Sequence, residues 1–469
     1  MTAATNPNAD SPFLTGLLEP VSDERFDENL IIEGELPRQL SGMFVRNGPN
    51  PQFDPMTRYH PFDGDGMLHA VYIEDGKASY RNRWVESLGL QAERKRGRAC
   101  FGGLSEFQLP EEDVMAEAGF MKNTANTNFI HHAGHFFALM EGGKPTETTR
   151  TLDTLGEYDF GGKLEGPMTA HPKIDPVTGD MVFFGYSPFP PYLQYSVANA
   201  KGELIHHAII DIAEPVMMHD FVVTSNYTLF LDSPAVFDLE GKFKGEPGVA
   251  WVPELGTRLG VLPRFGSADQ IRWFEVDTAN VVHFFNAWED GNRLEIFAPV
   301  FDKMPGGLQF DAPEQAEEPH PYHWSVDLDA GTAQGERMDD RPGEFPRVND
   351  DCATGKTRYM YNSLARDWAF EFNFNGVIKY DIDTGSSSAW EHAANEICGE
   401  HCFVPDPNGS AEDDGWLMTL VSNNETRESS VAVIDARDID NGPVARIKLP
   451  RRVPIGFHAN WITADAGER

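Results

Sequence analysis

The sequence predicts an all-β fold of the propeller type, on two observations. Short apolar runs alternate with turn signals along nearly the whole chain, and 43 Gly and 33 Pro are spread through its 469 residues rather than concentrated. Many short strands joined by many turns have this composition. Four histidines, His171, His219, His283 and His458, stand within or beside such runs at separations of 48, 64 and 175 residues (219 − 171, 283 − 219, 458 − 283). Zinc fingers and metalloprotease helices keep their ligands within a few residues of one another. Ligands drawn from widely spread strand ends require a closed, radially repeated architecture that brings them to one axis.

The stretch from Glu165 to Gly179 anchors this reading. A small-residue approach ends on His171 and runs into an Asp-Pro-x-Thr-Gly turn, which places the imidazole where one strand finishes and a hairpin begins. Along the chain, residues 1–12 are polar and turn-rich and read as a flexible tail, with 13–469 forming a single domain. Turn signals then recur at Glu74-Asp-Gly-Lys77, Asp153-Thr-Leu-Gly156, Asp175 to Gly179, Asn199-Ala-Lys-Gly202, Asp329-Ala-Gly331 and Asp381 to Gly385. Helical patterning is sparse. Pro110 to Gly119 opens on a proline and acidic residues and reads as a short helix in an excursion above the sheets. Tyr186 to Tyr192, rich in proline and aromatics and followed by Leu193, reads either as the wall of an apolar tunnel or as a packed crossover. Pro305 to Tyr322 reads as an inserted loop.

Composition narrows the function. With 38 Lys+Arg against 74 Asp+Glu the formal charge is −36, which repels phosphate backbones and anionic headgroups, so no nucleic-acid partner is expected. Membrane contact would have to be peripheral and rest on an apolar patch, for which Phe189 and Leu193 are the candidates. No apolar run is long enough to span a bilayer, and Met1 to Leu17 lacks the basic start and apolar stretch of a signal peptide, so a cytoplasmic location with reduced thiols is expected. The run Cys398-Gly-Glu-His401-Cys402 has the wrong spacing for paired zinc-binding cysteines and no second cluster elsewhere in the sequence. His131, His132 and His135 are expected at a hairpin, facing solvent.

Four neutral imidazoles suit Fe(II) and leave its charge uncompensated among the ligands themselves. Ligating histidines commonly donate their far ring N–H to a carboxylate, and Glu141, Glu344 and Glu400 each stand beside a strand-like run. Each taken alone also fits a surface or ion-pair role.

The runs Phe44 to Pro51, Phe62-Asp-Gly-Asp-Gly-Met67, Asn126-Thr-Asn128, Glu165 to Gly179, Met217-Met-His-Asp220, Glu344-Phe-Pro346, Glu412 to Trp416 and Gly456-Phe-His-Ala-Asn-Trp461 resemble the carotenoid cleavage oxygenases, in that family's order and over nearly the whole chain. The resemblance implies a seven-bladed propeller capped by a dome of loops and short helices, with Fe(2+) on the axis. It implies His171, His219, His283 and His458 as ligands, with Glu141, Glu344 and Glu400 hydrogen-bonding three of them. Thr127 is implied beside the open coordination position. The expected reaction is oxidative cleavage of a conjugated C=C bond of a hydrophobic polyene, a carotenoid or apocarotenoid, by O2 to give two aldehydes. A stilbene- or phenylpropene-cleaving enzyme is the alternative, disfavoured because Leu104 and His135, in the register adopted here, replace the tyrosine and lysine that hold a phenol oxygen in that branch. A non-catalytic carotenoid-binding propeller and a non-oxidative isomerase are further alternatives, the first hard to square with a complete ligand set.

Overall fold

The computed structural model describes residues 7–244, 248–304, 317–365 and 373–467. Its strands pair into seven antiparallel blades around one axis. The first blade is Arg25–Asp27, Lys77–Trp84, Gly66–Glu74 and Gly42–Pro49, and it takes the C-terminal strand Ala459–Thr463 on its free edge, with Phe44 opposite Trp461. The second spans Asn128–His132 to Thr154–Glu157, the third Lys173–Ile174 to Leu204–Ile210, the fourth Val222–Val223 to Arg272–Val276 and the fifth Asn280–Val281 to Thr332–Arg337. The sixth (Gly343–Arg347 to Ser386–Glu391) and the seventh (Cys402–Pro405 to Pro443–Lys448) are merged by Glu396–Cys398, which pairs with a strand of each. The second strand of the chain, Ile32–Gly34, completes the outer edge of the seventh. Both chain ends are therefore woven into neighbouring blades, which closes the ring and covers its edges.

Apolar side chains fill each seam, and the seams form a closed circuit. Val45 and Phe129 meet between the first and second blades, Leu139 and Phe183 between the second and third, and Tyr195 and Phe230 between the third and fourth. Leu259 and Ile296, Phe297 and Met360, Val377 and Leu417, and Val431 and Phe44 continue it back to the start. Blades covered on both faces bury whole strands, as in Gly42–Pro49 and Met181–Tyr186. The outer strand Lys77–Trp84 alternates exposed or half-buried with buried positions.

Most turn signals mark hairpins. Asp75 and Gly76, both at positive φ, join Gly66–Glu74 to Lys77–Trp84 in a two-residue turn of the kind that matches strand twist. The signal at Asp153 to Gly156 is displaced: Thr154–Glu157 is a strand, and the turn lies just before it, where Leu152 takes φ 71° and its amide bonds the Thr149 carbonyl. The helix expected within Pro110 to Gly119 is Glu112–Ala118. A second helix, Leu88–Arg96, capped by Ser87, packs on it through Ala92 and Val114. It escapes a reading for amphipathic periodicity because five of its nine residues, LGLQAERKR, are polar or charged.

Three expectations about loops need revision. Leu193 is 0% exposed, inside the strand Leu193–Ala198, because its side chain fills the seam between the third and fourth blades, so it offers nothing to a membrane. Within the stretch expected to be loose, residues 1–6 lie outside the described residues, but Asn8 is buried and its side-chain amide bonds the carbonyls of Pro55 and Thr57. Of the inserted loop, 305–316 lie outside the described residues, and strand His320–Asp327 begins before its expected end.

Candidate metal centre

The seven innermost strands each bring one residue of interest to the axis. Taken round the ring from the first blade these are His458, Thr127, His171, His219, His283, Glu344 and Glu400. Five of them immediately precede the innermost strand of their blade, or stand within three residues of it: His458 before Ala459–Thr463, Thr127 before Asn128–His132, His171 before Lys173–Ile174, His219 before Val222–Val223 and Glu400 before Cys402–Pro405. His171 thus starts an inner strand instead of finishing one. His283 sits in a break between Asn280–Val281 and Asn286–Asp290, which pair with the same partner strand. The wide sequence spacing of the histidines is the spacing of blades.

The four histidines converge, with one ring nitrogen of each within 4.8 Å of the others. Nε2 of His171 lies 2.9 Å from Nε2 of His219, which lies 3.2 Å from Nε2 of His283. The rings of His171 and His458 stand nearly perpendicular with centroids 4.4 Å apart. Nδ1 of His219 meets Glu141 Oε2 at 2.5 Å, Nδ1 of His283 meets Glu344 Oε2 at 2.7 Å, and Nδ1 of His458 meets Glu400 Oε1 at 3.2 Å. A neutral imidazole donating from Nδ1 carries its lone pair on Nε2. Three such lone pairs therefore point into one small volume, an arrangement that repels itself unless a cation sits between them. The donor set fits a resident metal ion, and four neutral nitrogens with outer carboxylates fit Fe(II).

Electrostatics favour neutral rings at His171 and His283. Burial, reinforced by the facing histidines, holds His171 and His283 well below the ordinary imidazole range. Burial also acts downward on His219, but the Glu141 carboxylate outweighs it and the net shift is upward. Burial pushes Glu344 up to about 7. Against the same burial, Arg347, His458 and the Ala459 amide pull Glu400 down to about 2.

Sequence reasoning missed the groups that hold these carboxylates. Tyr186 hydrogen-bonds Glu141, Arg347 Nη1 stands 3.8 Å from Glu400 Oε1, and the Ala459 amide donates to Glu400 Oε2 at 2.7 Å. Lys173 pairs with Asp220 at 2.7 Å, and Asp220 accepts the Phe284 amide, linking the segments that carry His171, His219 and His283. Asp220 and Arg347 adjoin residues already singled out; Tyr186 was read only as the start of a proline- and aromatic-rich stretch, because strand topology alone brings it to Glu141.

Thr127 lies beside the centre through its backbone: its carbonyl accepts the His458 amide at 3.2 Å, and its hydroxyl donates to Asn126 Oδ1 at 3.1 Å. Leu104 is 41% exposed, and its amide bonds Asp63. His135 begins the outer end of strand His135–Leu139, pairs with Glu147 and packs on Tyr158. Six residues of extended chain, roughly 20 Å, separate it from Glu141, so it does not stand where a substrate beside the metal would lie. His135 therefore gives no ground against a phenolic substrate. Of its neighbours, His132 is buried and bonds the Gly179 carbonyl, so that hairpin does not simply face solvent. The four cysteines are free.

Known proteins bear out the architecture. The family model described as retinal pigment epithelial membrane protein matches residues 18–463. The carotenoid 9,10(9',10')-cleavage dioxygenase 1 of Arabidopsis thaliana is 35% identical over 97% of this chain and 90% of its own. The isoeugenol monooxygenase of Pseudomonas nitroreducens is 34% identical over 97% and 98%. Among solved structures, the lignostilbene dioxygenase of Pseudomonas brassicacearum superposes with a TM-score of 0.88 at 29% identity, covering 97% of this chain and 99% of its own. An apocarotenoid oxygenase of Synechocystis, as a variant, superposes with 0.86 at 26%, covering 95% and 97%. With a propeller of seven blades and a histidine quartet on its axis, the chain belongs to the carotenoid cleavage oxygenase family.

Proposed function

We propose that the protein is an Fe(II)-dependent dioxygenase that cleaves one conjugated C=C bond of a carotenoid or apocarotenoid, placing one oxygen atom of O2 on each carbon to give two aldehydes. The observation that carries the chemistry is the convergence of His171, His219, His283 and His458 with carboxylates behind three of them. These four side chains would hold the iron. Ferrous iron, when bound, supplies the activation of O2 that a spin-paired alkene cannot achieve alone.

The chain's own residues do the rest. Glu141, Glu344 and Glu400 fix ring orientation through Nδ1 and offset the metal's charge. Thr127, with its hydroxyl tied to Asn126, is proposed to keep a further ligand from the open position by the bulk of its methyl. No side-chain acid or base is required, since no proton is transferred between reactant and products. The polyene reading is supported by the carotenoid dioxygenases among the relatives. Phe189, 54% exposed beside Pro190 and Pro191, remains the proposed point of peripheral membrane contact, and no helix among the described residues is long and apolar enough to cross a bilayer.

A second reading, cleavage of a stilbene or phenylpropene side chain, is favoured by the likeness to the lignostilbene dioxygenase and the isoeugenol monooxygenase. Iron-loaded protein under air, offered an apocarotenal and a 4-hydroxystilbene side by side with products identified by mass, separates the two. Aldehydes from the apocarotenal alone are expected. Aldehydes from the stilbene alone would transfer the assignment to the second reading.

A further inference from the structure

A second cluster of metal-ligating side chains lies apart from the histidine quartet. His392, Cys398 and His401 are all buried, and one donor atom of each lies within 4.8 Å of the others. The two imidazoles are 3% and 1% exposed. In each ring Nδ1 has a partner that leaves the lone pair on Nε2: that of His401 meets the Ser363 hydroxyl at 3.0 Å, and that of His392 faces the Glu396 carboxylate at 3.7 Å, an acceptor for Nδ1–H, with Arg446 Nη2 at 3.4 Å beside it. Nε2 of both rings is buried with no hydrogen-bond partner among the described residues. A buried imidazole nitrogen left unpaired carries a desolvation cost with nothing to offset it, and here two stand next to a free thiol. Cys398 donates only a long contact, 3.7 Å, to the Gly376 carbonyl.

We propose that His392 Nε2, His401 Nε2 and Cys398 Sγ form a second metal site, which takes a soft, three-coordinate monovalent ion, Cu(I). Metal–nitrogen and metal–sulfur bonds of about 2.0 and 2.3 Å put donors roughly 3.5–4 Å apart, so side-chain shifts of under about 1 Å close the cluster. The mixed imidazole and thiolate set selects a soft metal. Charge selects its valence. On binding, the Cys398 S–H bond breaks, its proton leaves to solvent and an S–Cu bond forms. One thiolate, two neutral imidazoles and Cu(I) then sum to zero in a fully buried site, whereas Zn(II) would leave a net positive charge there. Glu396 cannot offset it, being already paired with Arg446 at 3.0 and 3.1 Å. The three donors also suffice for Cu(I), while tetrahedral zinc needs a fourth. His392 explains why the sequence alone does not show the site: it stands outside the Cys398 to Cys402 run and is brought in by the bridging strand Glu396–Cys398.

The test uses iron-loaded protein produced with copper in the medium and then exposed to a Cu(I) chelator, with both metals counted. About one copper per chain alongside undiminished iron is expected, falling at least tenfold in Cys398→Ser and His401→Gln. X-ray absorption at the copper edge of the unaltered protein should show one sulfur and two nitrogen neighbours, a result that does not depend on the variants folding. The proposal is overturned if no copper is retained, if Cys398→Ser retains as much, if copper rises only as iron falls, if zinc occupies the site, or if the copper shell is nitrogen alone.

Discussion

Asn460 donates from Nδ2 to Oδ1 of Asn128 at 2.7 Å, joining residues 332 positions apart across the first and second blades. Each continues a chain of side chains around the hub. Arg347 Nη2 donates to Asn460 Oδ1 at 2.7 Å, and Asn128 Nδ2 donates to the Ala170 carbonyl at 2.8 Å, one residue before His171. The chain passes next to Thr127, Ala459 and Ala170, so it sets the heights at which Thr127, His458 and His171 meet the axis. Asn128→Ala leaves the Ala170 carbonyl and one N–H of the Asn460 amide unpaired, the other still donating to the Phe129 carbonyl, at about 1–3 kcal/mol for each unpaired group. A lower urea midpoint is expected together with weaker iron retention. Asn128→Asp, which keeps the Oδ1 acceptor but replaces the donor to Ala170 with a second oxygen, should fall between the two.

Glu400 serves two masters at the seventh blade, accepting from His458 Nδ1 and from the Ala459 amide while Arg347 stands behind it. Glu400→Gln keeps size and one hydrogen bond but removes the charge that offsets the metal. Iron affinity should drop roughly 10–100-fold, read by competition against a chromophoric chelator. An unchanged affinity would show that charge on this carboxylate is irrelevant to the centre.

Iron removal tests the convergence of lone pairs directly. The ion binds the folded quartet and not the unfolded chain, so free iron at about a thousand times its dissociation constant adds about 4 kcal/mol of stability. Calorimetry of iron-loaded and chelator-stripped protein should show a rise in melting temperature that grows with the logarithm of free iron and that His219→Ala abolishes.

How much of this was legible in the chain depends on what each signal reports. Histidines at strand ends, spread over blade-length intervals, carry the propeller and the quartet, because a metal set drawn from distant segments leaves its own spacing in the sequence. Glu344 and Glu400 were readable for the same reason: they stand at inner-strand starts. Tyr186 and the Asn128–Asn460 pair were not, since ordinary strand residues acquire these partners only through topology. His135 misled because a register carried along one strand ignores which end of the strand faces the axis.

Asp339 contributes acid sensitivity on the approach to the sixth blade. It accepts from Nε and the amide of Arg341 at 3.0 and 2.9 Å and from the Ser387 hydroxyl at 2.8 Å. Burial alone would raise its pKa, but these donors outweigh it and hold the carboxyl at about 2, below its ordinary 3.8. A depressed folded-state pKa adds stability above the unfolded value, lost as pH falls from about 4 toward 2. The gain is about 1 kcal/mol after discounting for partial exposure. Asp339→Asn should lower the urea midpoint at pH 6, and the gap to the unaltered protein should narrow steadily below pH 4.

Lys122 holds the helical excursion onto the first blade. Its Nζ lies 2.5 Å from Asp65 and 2.6 Å from Glu93, all three side chains nearly sealed from solvent. Glu93 belongs to helix Leu88–Arg96, and Asp65 to the Phe62-Asp-Gly-Asp motif next to strand Gly66–Glu74. Lys122→Met leaves two buried carboxylates without their cation, a loss of about 3–5 kcal/mol. The triple replacement Lys122→Met with Asp65→Asn and Glu93→Gln removes the charges together and should recover most of that loss. If the single and triple variants unfold at the same urea concentration, the ion cluster is not what anchors the excursion, and the apolar contact of Ala92 with Val114 must carry it alone.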